Sequence, residues 1–308
     1  DRIDLVSIVT PNHAHFAPAK AFVSAGFHVM LDKPMVHSSA EAADLAAAVA
    51  DAGVFLGVTY NYSGYPMVRQ MRAMVRGGEI GAVRKIFVEY HQGWLAGPLE
   101  SEGQKQADWR TDPARAGIAG AVGDIGSHAE HLAAFVTGLD LESVCADVHT
   151  FVPGRRLDDD ASVLLRYAGG ARGVLTCSQV CIGRENGLSL RVHGDRGSLE
   201  WRQEHPNHLH AADADGSWRL ITRAGPGAGP EAAAVTRLPG GHPEGFHEAF
   251  ANLYRGAFAA IRAHRAGVAI PEAAALVPDV TDGARGVRFI EAVIASGRAG
   301  GQWTAVEV

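Results

Sequence analysis

Three short apolar runs near the start of the chain are typical of strands buried in a parallel sheet, and they lie at residues 5–9, 28–31 and 54–58. A helical pattern follows each run, over residues 14–25, 38–52 and 66–76. The second helix begins with Ser38 and Glu41 at capping-box spacing, and Gly53 ends it. Strands and helices that alternate in this way predict a doubly wound parallel sheet, in which ligands bind where the strands end.

Beyond residue 82 the pattern changes to a series of strands. Strand-like runs lie at residues 85–91, 145–152, 160–167, 171–180, 188–193, 198–201 and 218–222. Tight turns such as Ala168-Gly169-Gly170 join neighbouring runs, which indicates a largely antiparallel sheet. Residues 224–241, rich in Gly, Pro and Ala, are expected to form a flexible connection. Helices are then expected at residues 245–266 and 280–296, and a last strand at 303–306.

Composition narrows the class of protein. The chain has 308 residues, of which 47% are hydrophobic and 20% charged, so it can bury a large core. Its net charge of -6, with both signs mixed along the chain, argues against nucleic acid or an anionic membrane as a partner. The three cysteines form no metal-type CxxC, which favours reduced thiols and a cytoplasmic location. No metal site is predicted.

A glycine-rich entry, residues 123–127, runs directly into a helical pattern that begins around His128. Asp124 and His128 are four residues apart, which on an α-helix places a carboxylate and an imidazole on one face. An acid and a base on a rigid element are a common arrangement for proton transfer. An ordinary surface helix with a first-turn Asp and a solvated His explains the same pattern. Both interpretations stay open from this segment alone.

Polar residues follow the predicted strands of the parallel sheet. Lys33 comes directly after the second strand, where its ammonium could reach a substrate hydroxyl and favour a developing alkoxide. A solvated surface lysine is the alternative interpretation. Thr10 and Asn61 follow the first and third strands, so their side chains are expected at the same edge of the sheet.

Three segments together resemble the Gfo/Idh/MocA oxidoreductases. They are residues 8–15 (IVTPNHAH), residues 32–34 (DKP) and residues 123–128 (GDIGSH), in the order and spacing that the family uses. The second half, including residues 242–246, looks nearest to the branch of levoglucosan and glucoside 3-dehydrogenases. The resemblance implies a Rossmann domain paired with an open α/β domain. It also implies oxidation or reduction of a sugar or polyol with NAD or NADP.

The resemblance assigns roles to particular residues. Lys33, Asp124 and His128 are the expected catalytic residues, with the final proton acceptor left open among the three. The expected cofactor-binding residues are Thr10, Pro11, Asn12, His15, Asp32, Lys33, Pro34, Asn61, Trp109 and Arg110. The expected substrate-binding residues are Tyr62, Trp94, His131 and Gln179, with Glu185 and Asn186 as further candidates. A homodimer or homotetramer through the open sheet is the expected assembly.

The predicted fold class is α/β: a truncated Rossmann-type doubly wound parallel sheet, followed by an α+β domain with a large open, mostly antiparallel sheet. Residues 1–81 form the partial dinucleotide-binding domain in this prediction. Residues 82–308 form the substrate-binding and oligomerisation domain, whose last helix returns to the first. The family's first strand and glycine-rich phosphate turn would precede Asp1, so the chain is expected to be truncated and to bind nicotinamide cofactors feebly. For the same reason the sequence does not decide whether an export signal precedes Asp1.

One further departure and three alternatives complete the prediction. Asp32 stands where the family usually has Glu, which shortens the carboxylate's reach by one methylene. An NAD-dependent glycosidase of the same fold is the first alternative. A metal-dependent hydrolase or isomerase built on Asp124, His128 and His131 is the second, and a non-catalytic scaffold or sensor is the third.

Overall fold

The computed structural model describes residues 3–271 and 275–306. Three parallel strands form the first sheet in the order β1-β2-β3, with Leu5 of β1 opposite His28 of β2. The strands are β1 (Leu5–Ile8), β2 (His28–Leu31) and β3 (Leu56–Val58). All four residues of β2 are buried, as the continuous apolar run predicts. The predicted parallel sheet is confirmed.

The helices that follow these strands begin and end close to their predicted positions. They are α1 (Phe16–Ser24), α2 (Ser39–Ala52) and α3 (Pro66–Arg76), and a 3₁₀ turn (Asn12–Ala14) precedes α1. The Ser38 hydroxyl caps α2 by accepting the Glu41 N–H. The Glu41 carboxylate accepts the His37 N–H at 2.9 Å, one residue before the cap, so the reciprocal half of the predicted capping box is displaced by one position.

Nine strands form the second sheet, in the order β11-β10-β9-β8-β4-β7-β6-β5-β12. Only the β4–β7 pair is parallel, and the other described pairs are antiparallel. The strands are β4 (Val83–His91), β5 (Leu141–His149), β6 (Asp160–Tyr167), β7 (Arg172–Ser178), β8 (Gly187–Gly194), β9 (Gly197–Arg202), β10 (His208–Asp213), β11 (Trp218–Thr222) and β12 (Thr304–Ala305). The predicted fold class is confirmed.

One face of the large sheet is covered by helices, and the other is open. The remaining helices are α4 (Lys105–Arg110), α5 (Pro113–Ala116), α6 (Ser127–Thr137), α7 (Pro230–Ala233), α8 (Phe246–Ala266) and α9 (Val280–Arg298). Helix α9 contacts α2 and β3 beside the first sheet and β5 in the second. The division into domains at residues 81 and 82 stays a prediction.

The segment predicted to be a flexible connection, residues 224–241, is instead fastened to the fold. It contains the short helix α7, and buried Arg223 just before it donates hydrogen bonds to the carbonyls of Leu238 and Pro239. Arg223 also pairs with the buried Glu244 carboxylate at 2.9 Å. Glycine and proline here mark turns in an ordered segment.

Within residues 3–271 and 275–306, no helix combines the length and apolar character needed to cross a membrane.

Candidate active site

A cavity of about 530 Å³ lies between the carboxyl ends of the parallel strands, the start of α6 and one end of the large sheet. Doubly wound sheets bind ligands at this edge because the connecting loops there diverge. The residues that line it are Asp32, Lys33, Thr59, Asn61, Tyr62, Tyr90, Gln92, Trp94, Gln104, Gln106, Arg110, Asp124, Ile125, His128, Asn186, Phe246 and Phe250. All three predicted catalytic residues are therefore brought together in one cavity.

Lys33 and Asp124 form an ion pair at its floor. The Lys33 Nζ lies 2.8 Å from Asp124 Oδ1 and also donates to the Asp124 backbone carbonyl. Arg110 Nε lies 3.3 Å from Asp124 Oδ2, and the Gln179 amide donates to the same oxygen at 2.9 Å. Burial acts to raise the pKa of Asp124, but Lys33 and Arg110 outweigh it and hold the pKa well below its usual range. Asp124 is therefore ionised at neutral pH.

The four-residue spacing suggests that Asp124 lies on a regular α-helix, and in the structure it does not. It lies in a π-helical turn, Val122–Gly126, that continues into α6, where His128 occupies the first turn. Buried Asp158 holds the start of this turn, since its carboxylate accepts the N–H groups of Gly120 and Val122 at 2.6 and 2.7 Å. Both Asp124 and His128 still face the cavity. Turns of this kind occur frequently at functional sites.

His128 is enclosed by aromatic rings. Its ring centroid lies 4.8 Å from that of Tyr62 and 5.7 Å from that of Tyr60, both in edge-to-face contacts. Burial is the main cause of a pKa well below 6.5, and the nearby Lys33 ammonium lowers it further. Its Nδ1 has no hydrogen-bond partner among the described residues. At neutral pH the imidazole is therefore uncharged and able to accept a proton.

Residues on the cofactor side line the edge of the parallel sheet. Asp32 Oδ1 accepts the Lys33 N–H at 2.8 Å and the Thr59 hydroxyl at 2.7 Å, which fixes its carboxylate. Asn61 Nδ2 is buried in the cavity wall without a partner among the described residues. A buried, unsatisfied amide N–H is costly unless a ligand accepts it. The carboxamide oxygen of a nicotinamide ring fits this requirement.

The loop after β1 carries the other predicted cofactor residues. Thr10 is exposed, and Asn12 donates to the Ala116 carbonyl at 3.0 Å. His15 is fully buried, with its ring nitrogens 2.9 Å from the Pro34 carbonyl and 2.8 Å from the Thr10 carbonyl. The structure therefore places His15 behind Thr10 and the Lys33-Pro34 segment, where it braces both loops. The Lys33-Pro34 peptide bond is cis.

Trp109 and Arg110 lie on α4. The Arg110 guanidinium stacks on the Trp109 ring at 4.2 Å and bonds to Gln106. Arg110 lines the cavity and reaches Asp124, whereas Trp109 is not among the lining residues.

The structure separates the predicted substrate residues into two groups. Tyr62, Trp94 and Asn186 line the cavity. Gln179 is buried behind Asp124, and His131 stacks on Tyr60 at 4.2 Å, outside the described cavity lining. Glu185 is exposed and is likewise absent from that lining.

Sequence reasoning missed several lining residues, namely Thr59, Tyr90, Gln92, Gln104, Gln106, Ile125, Phe246 and Phe250. Tyr90 and Gln92 lie at the end of β4, where the alternation of inward and outward side chains is the one signal that points Tyr90 to the helix-covered face. The others reach the cavity only through the tertiary fold.

Among the described residues, no group of three or more His, Cys, Asp and Glu side chains is arranged to hold a metal ion.

Comparisons with known proteins agree with this geometry. A model described as the NAD-binding Rossmann fold of the GFO/IDH/MocA oxidoreductases matches residues 1–60, and a model of the GFO/IDH/MocA C-terminal domain matches residues 68–200. The uncharacterized oxidoreductase YfiI of Bacillus subtilis (strain 168) is 34% identical, over 98% of this chain and 78% of its own length.

Two solved structures are also similar to the chain. An inositol dehydrogenase homologue from Azotobacter vinelandii, complexed with NADH and myo-inositol, is 33% identical with a TM-score of 0.89, covering 98% of this chain and 78% of that one. A levoglucosan dehydrogenase complexed with NADH and levoglucosan is 26% identical with a TM-score of 0.85, covering 99% and 80%.

Proposed function

The chain belongs to the Gfo/Idh/MocA oxidoreductase family, and from that premise we propose that it oxidises a hydroxyl of an uncharged sugar, anhydrosugar or polyol with NAD or NADP. The observation that carries the proposal is the convergence of Lys33, Asp124 and His128 on one cavity at the ends of the parallel strands. A bound nicotinamide would supply the hydride acceptor for this reaction.

Each of the three residues has a separate role in the proposal. Lys33 donates a hydrogen bond to the reacting hydroxyl and stabilises the negative charge that develops on its oxygen. Asp124 holds the Lys33 ammonium in place at 2.8 Å. His128 accepts the hydroxyl proton, because its lowered pKa keeps the imidazole neutral and available as a base.

The charges of the cavity support an uncharged substrate. The basic side chains in the lining are Lys33 and Arg110, and the acidic ones are Asp32 and Asp124. Asp124 already pairs with both cations, so neither is left to balance a carboxylate or a phosphate on the substrate. Amide side chains and aromatic rings supply most of the remaining lining, as a carbohydrate site requires. The similar structures hold myo-inositol and levoglucosan, which are uncharged ring compounds.

The test is turnover by the purified chain with NAD or NADP. Reduced nicotinamide is expected to accumulate with one or more neutral compounds from a panel that includes levoglucosan and myo-inositol, and not with matched sugar acids or sugar phosphates. Release of free sugar from a glycoside without accumulation of reduced nicotinamide would instead identify the glycosidase. Because the chain is expected to bind nicotinamide cofactors feebly, NAD and NADP are raised to saturation in this test. Lack of turnover on every neutral compound under those conditions would refute the proposal.

We also propose that the chain forms a homodimer or homotetramer through the open face of the large sheet. Phe87, Val174 and Leu164 lie side by side on three adjacent strands of that face, and Leu164 is 48% exposed. An apolar strip of this kind commonly marks an interaction surface. Light scattering should give a mass of two or four chains, and Leu164→Arg should lower it.

With reduced cysteines, a cytoplasmic location fits best.

A further inference from the structure

One wall of the cavity is a hydrogen-bonded network of five side chains, here called the amide–phenol wall: Tyr62, Tyr90, Gln92, Trp94 and Asn186. The Trp94 indole N–H donates to Gln92 Oε1 at 3.0 Å, and Gln92 Nε2 donates to Asn186 Oδ1 at 2.8 Å. Asn186 lies between the two phenols, which are themselves 2.5 Å apart. All five residues line the cavity.

The chemistry of Trp94 fixes the direction of every bond in this wall. An indole nitrogen can only donate, so the Gln92 oxygen must face Trp94 and the Gln92 amino group must face Asn186. The Asn186 oxygen accepts that bond and therefore also accepts the Tyr90 hydroxyl proton at 2.7 Å. Asn186 Nδ2 then donates to the Tyr62 oxygen at 3.2 Å, which leaves the Tyr62 proton for Tyr90.

Both phenols remain protonated, as the directed wall requires. Burial raises the pKa of Tyr62, and burial and the neighbouring Tyr62 raise that of Tyr90 well above its usual value. Each phenol oxygen then keeps one lone pair, and each of the two amides keeps one N–H. The wall thus presents a fixed set of acceptors and donors. No amide or hydroxyl in it can reverse its direction unless the others reverse as well.

We propose that the amide–phenol wall determines specificity, by selecting the configuration of the substrate hydroxyls away from the reacting carbon, and that Trp94 sets its direction. This inference rests on the proposed function. A hydroxyl that donates to a phenol oxygen and accepts from an amide N–H fits the wall. A substrate epimer with that hydroxyl in the opposite configuration leaves a buried polar group of the wall unpaired. An unpaired buried group of this kind gives the strongest discrimination between similar substrates.

The variant Trp94→Phe tests the inference, because it keeps an aromatic ring and removes the N–H. Without that donor the Gln92 amide can reverse, and both directions of the wall become populated. The ratio of kcat/KM between the preferred neutral compound and its ring epimers should fall about tenfold. The acidic limb of the pH profile should not move, since His128 is untouched.

Trp218→Phe is the matched control, since Trp218 is 56% exposed on β11 and lies outside the described cavity lining. It should leave the selectivity ratio unchanged. Gln92→Glu should lower the ratio like Trp94→Phe, because a carboxylate has no N–H to give Asn186. The double variant should lose little more than either single variant, as expected for residues in one chain of bonds.

Calorimetric binding of the two epimers, measured without turnover, gives an independent readout and should lose the same selectivity in Trp94→Phe. If the wild-type protein turns over a neutral compound and Trp94→Phe keeps the wild-type epimer selectivity in turnover or binding, this inference is overturned. The proposed function then stays intact. Lack of wild-type turnover on every neutral compound at saturating NAD and NADP would refute the proposed function, and this inference with it.

Discussion

At the scale of single residues, the Lys33 ammonium is held by two oxygens of Asp124, one in its carboxylate and one in its backbone. Lys33→Ala should lower kcat by about a hundredfold or more, the loss expected when a group that stabilises developing charge is removed. Asp124 retains its contacts with Arg110 and Gln179, so the fold should persist. Steady-state kinetics with the preferred compound, together with the thermal unfolding midpoint, measure both expectations.

Lys20→Ala is the matched control for this variant. Lys20 of α1 forms an exposed ion pair with Asp44 of α2, and pairs of this kind contribute little to stability. Wild-type kcat in Lys33→Ala would show that Lys33 is not at the reacting hydroxyl.

His128 is the residue whose neutrality the proposed reaction needs. Its pKa is well below 6.5 because of burial and the Lys33 ammonium, so kcat/KM for alcohol oxidation should stay level from neutral pH downward and fall only in a more acidic range. His128→Asn should remove most of the rate and this acidic limb, since an amide cannot take the proton. An identical acidic limb in His128→Asn would transfer the role of base to Lys33 or Asp124.

At the scale of elements, the π-helical turn before α6 depends on a close approach between two segments. A Cβ at residue 120 would lie 2.2 Å from the Asp158 carbonyl oxygen, where backbone atoms have little room to move. Gly120→Ala should therefore lower the free energy of unfolding by about 1–3 kcal/mol, the usual cost of overpacking. It should also reduce kcat, because Asp124 lies in the displaced turn.

Gly97→Ala is the comparison, since a Cβ there has open space and its effect should stay within about 0.5 kcal/mol. Chemical denaturation of the two variants in parallel measures the difference. Equal stability of the two would show that the contact at residue 120 relaxes without cost.

The elements also show how far the sequence predicts the fold. Continuous apolar runs identified β2 and β3, because a strand buried on both faces needs no alternation. The run of β1 was identified as well, although Ser7 is exposed in the structure. Strand β10 (HLHAAD) was missed, since its small and polar residues carry little strand signal. The π turn was missed as well, because residues four apart, such as Asp124 and His128, lie on one face both in a π turn and in an α-helix.

The candidate site was predictable where local motifs carry it. Lys33, Asp124 and His128 lie in short segments whose pattern indicates strand ends and a helix start, and the structure brings them together. Gln104 and Gln106 were not predictable. They lie at the cap and in the first turn of the short helix α4, and such amides become site residues only when the tertiary fold places that helix over the cavity.

At the scale of the whole molecule, the dependence of stability on pH combines groups of opposite sign. Burial lowers the pKa of His128 and His131 well below 6.5, so the unfolded chain binds more protons at these residues, and they destabilise the fold below about pH 6.5. Burial raises the pKa of Asp158 to about 6 and also raises that of Glu130. Those carboxyls bind protons first in the folded state, so they favour the fold as the pH falls through that range.

A variant of one histidine separates these opposing contributions. His131 stacks on Tyr60 and lies 5.9 Å from Phe135, so Phe can replace its ring without a change of packing. Between pH 6.5 and the lower pKa of the folded state, the stability of His131→Phe relative to wild type should rise by about 1.4 kcal/mol per pH unit of acidification. Denaturant unfolding at several pH values measures this difference. If the stability of His131→Phe and of wild type changed in parallel with pH, His131 would titrate alike in the folded and unfolded states. That result would contradict the expectation from its burial.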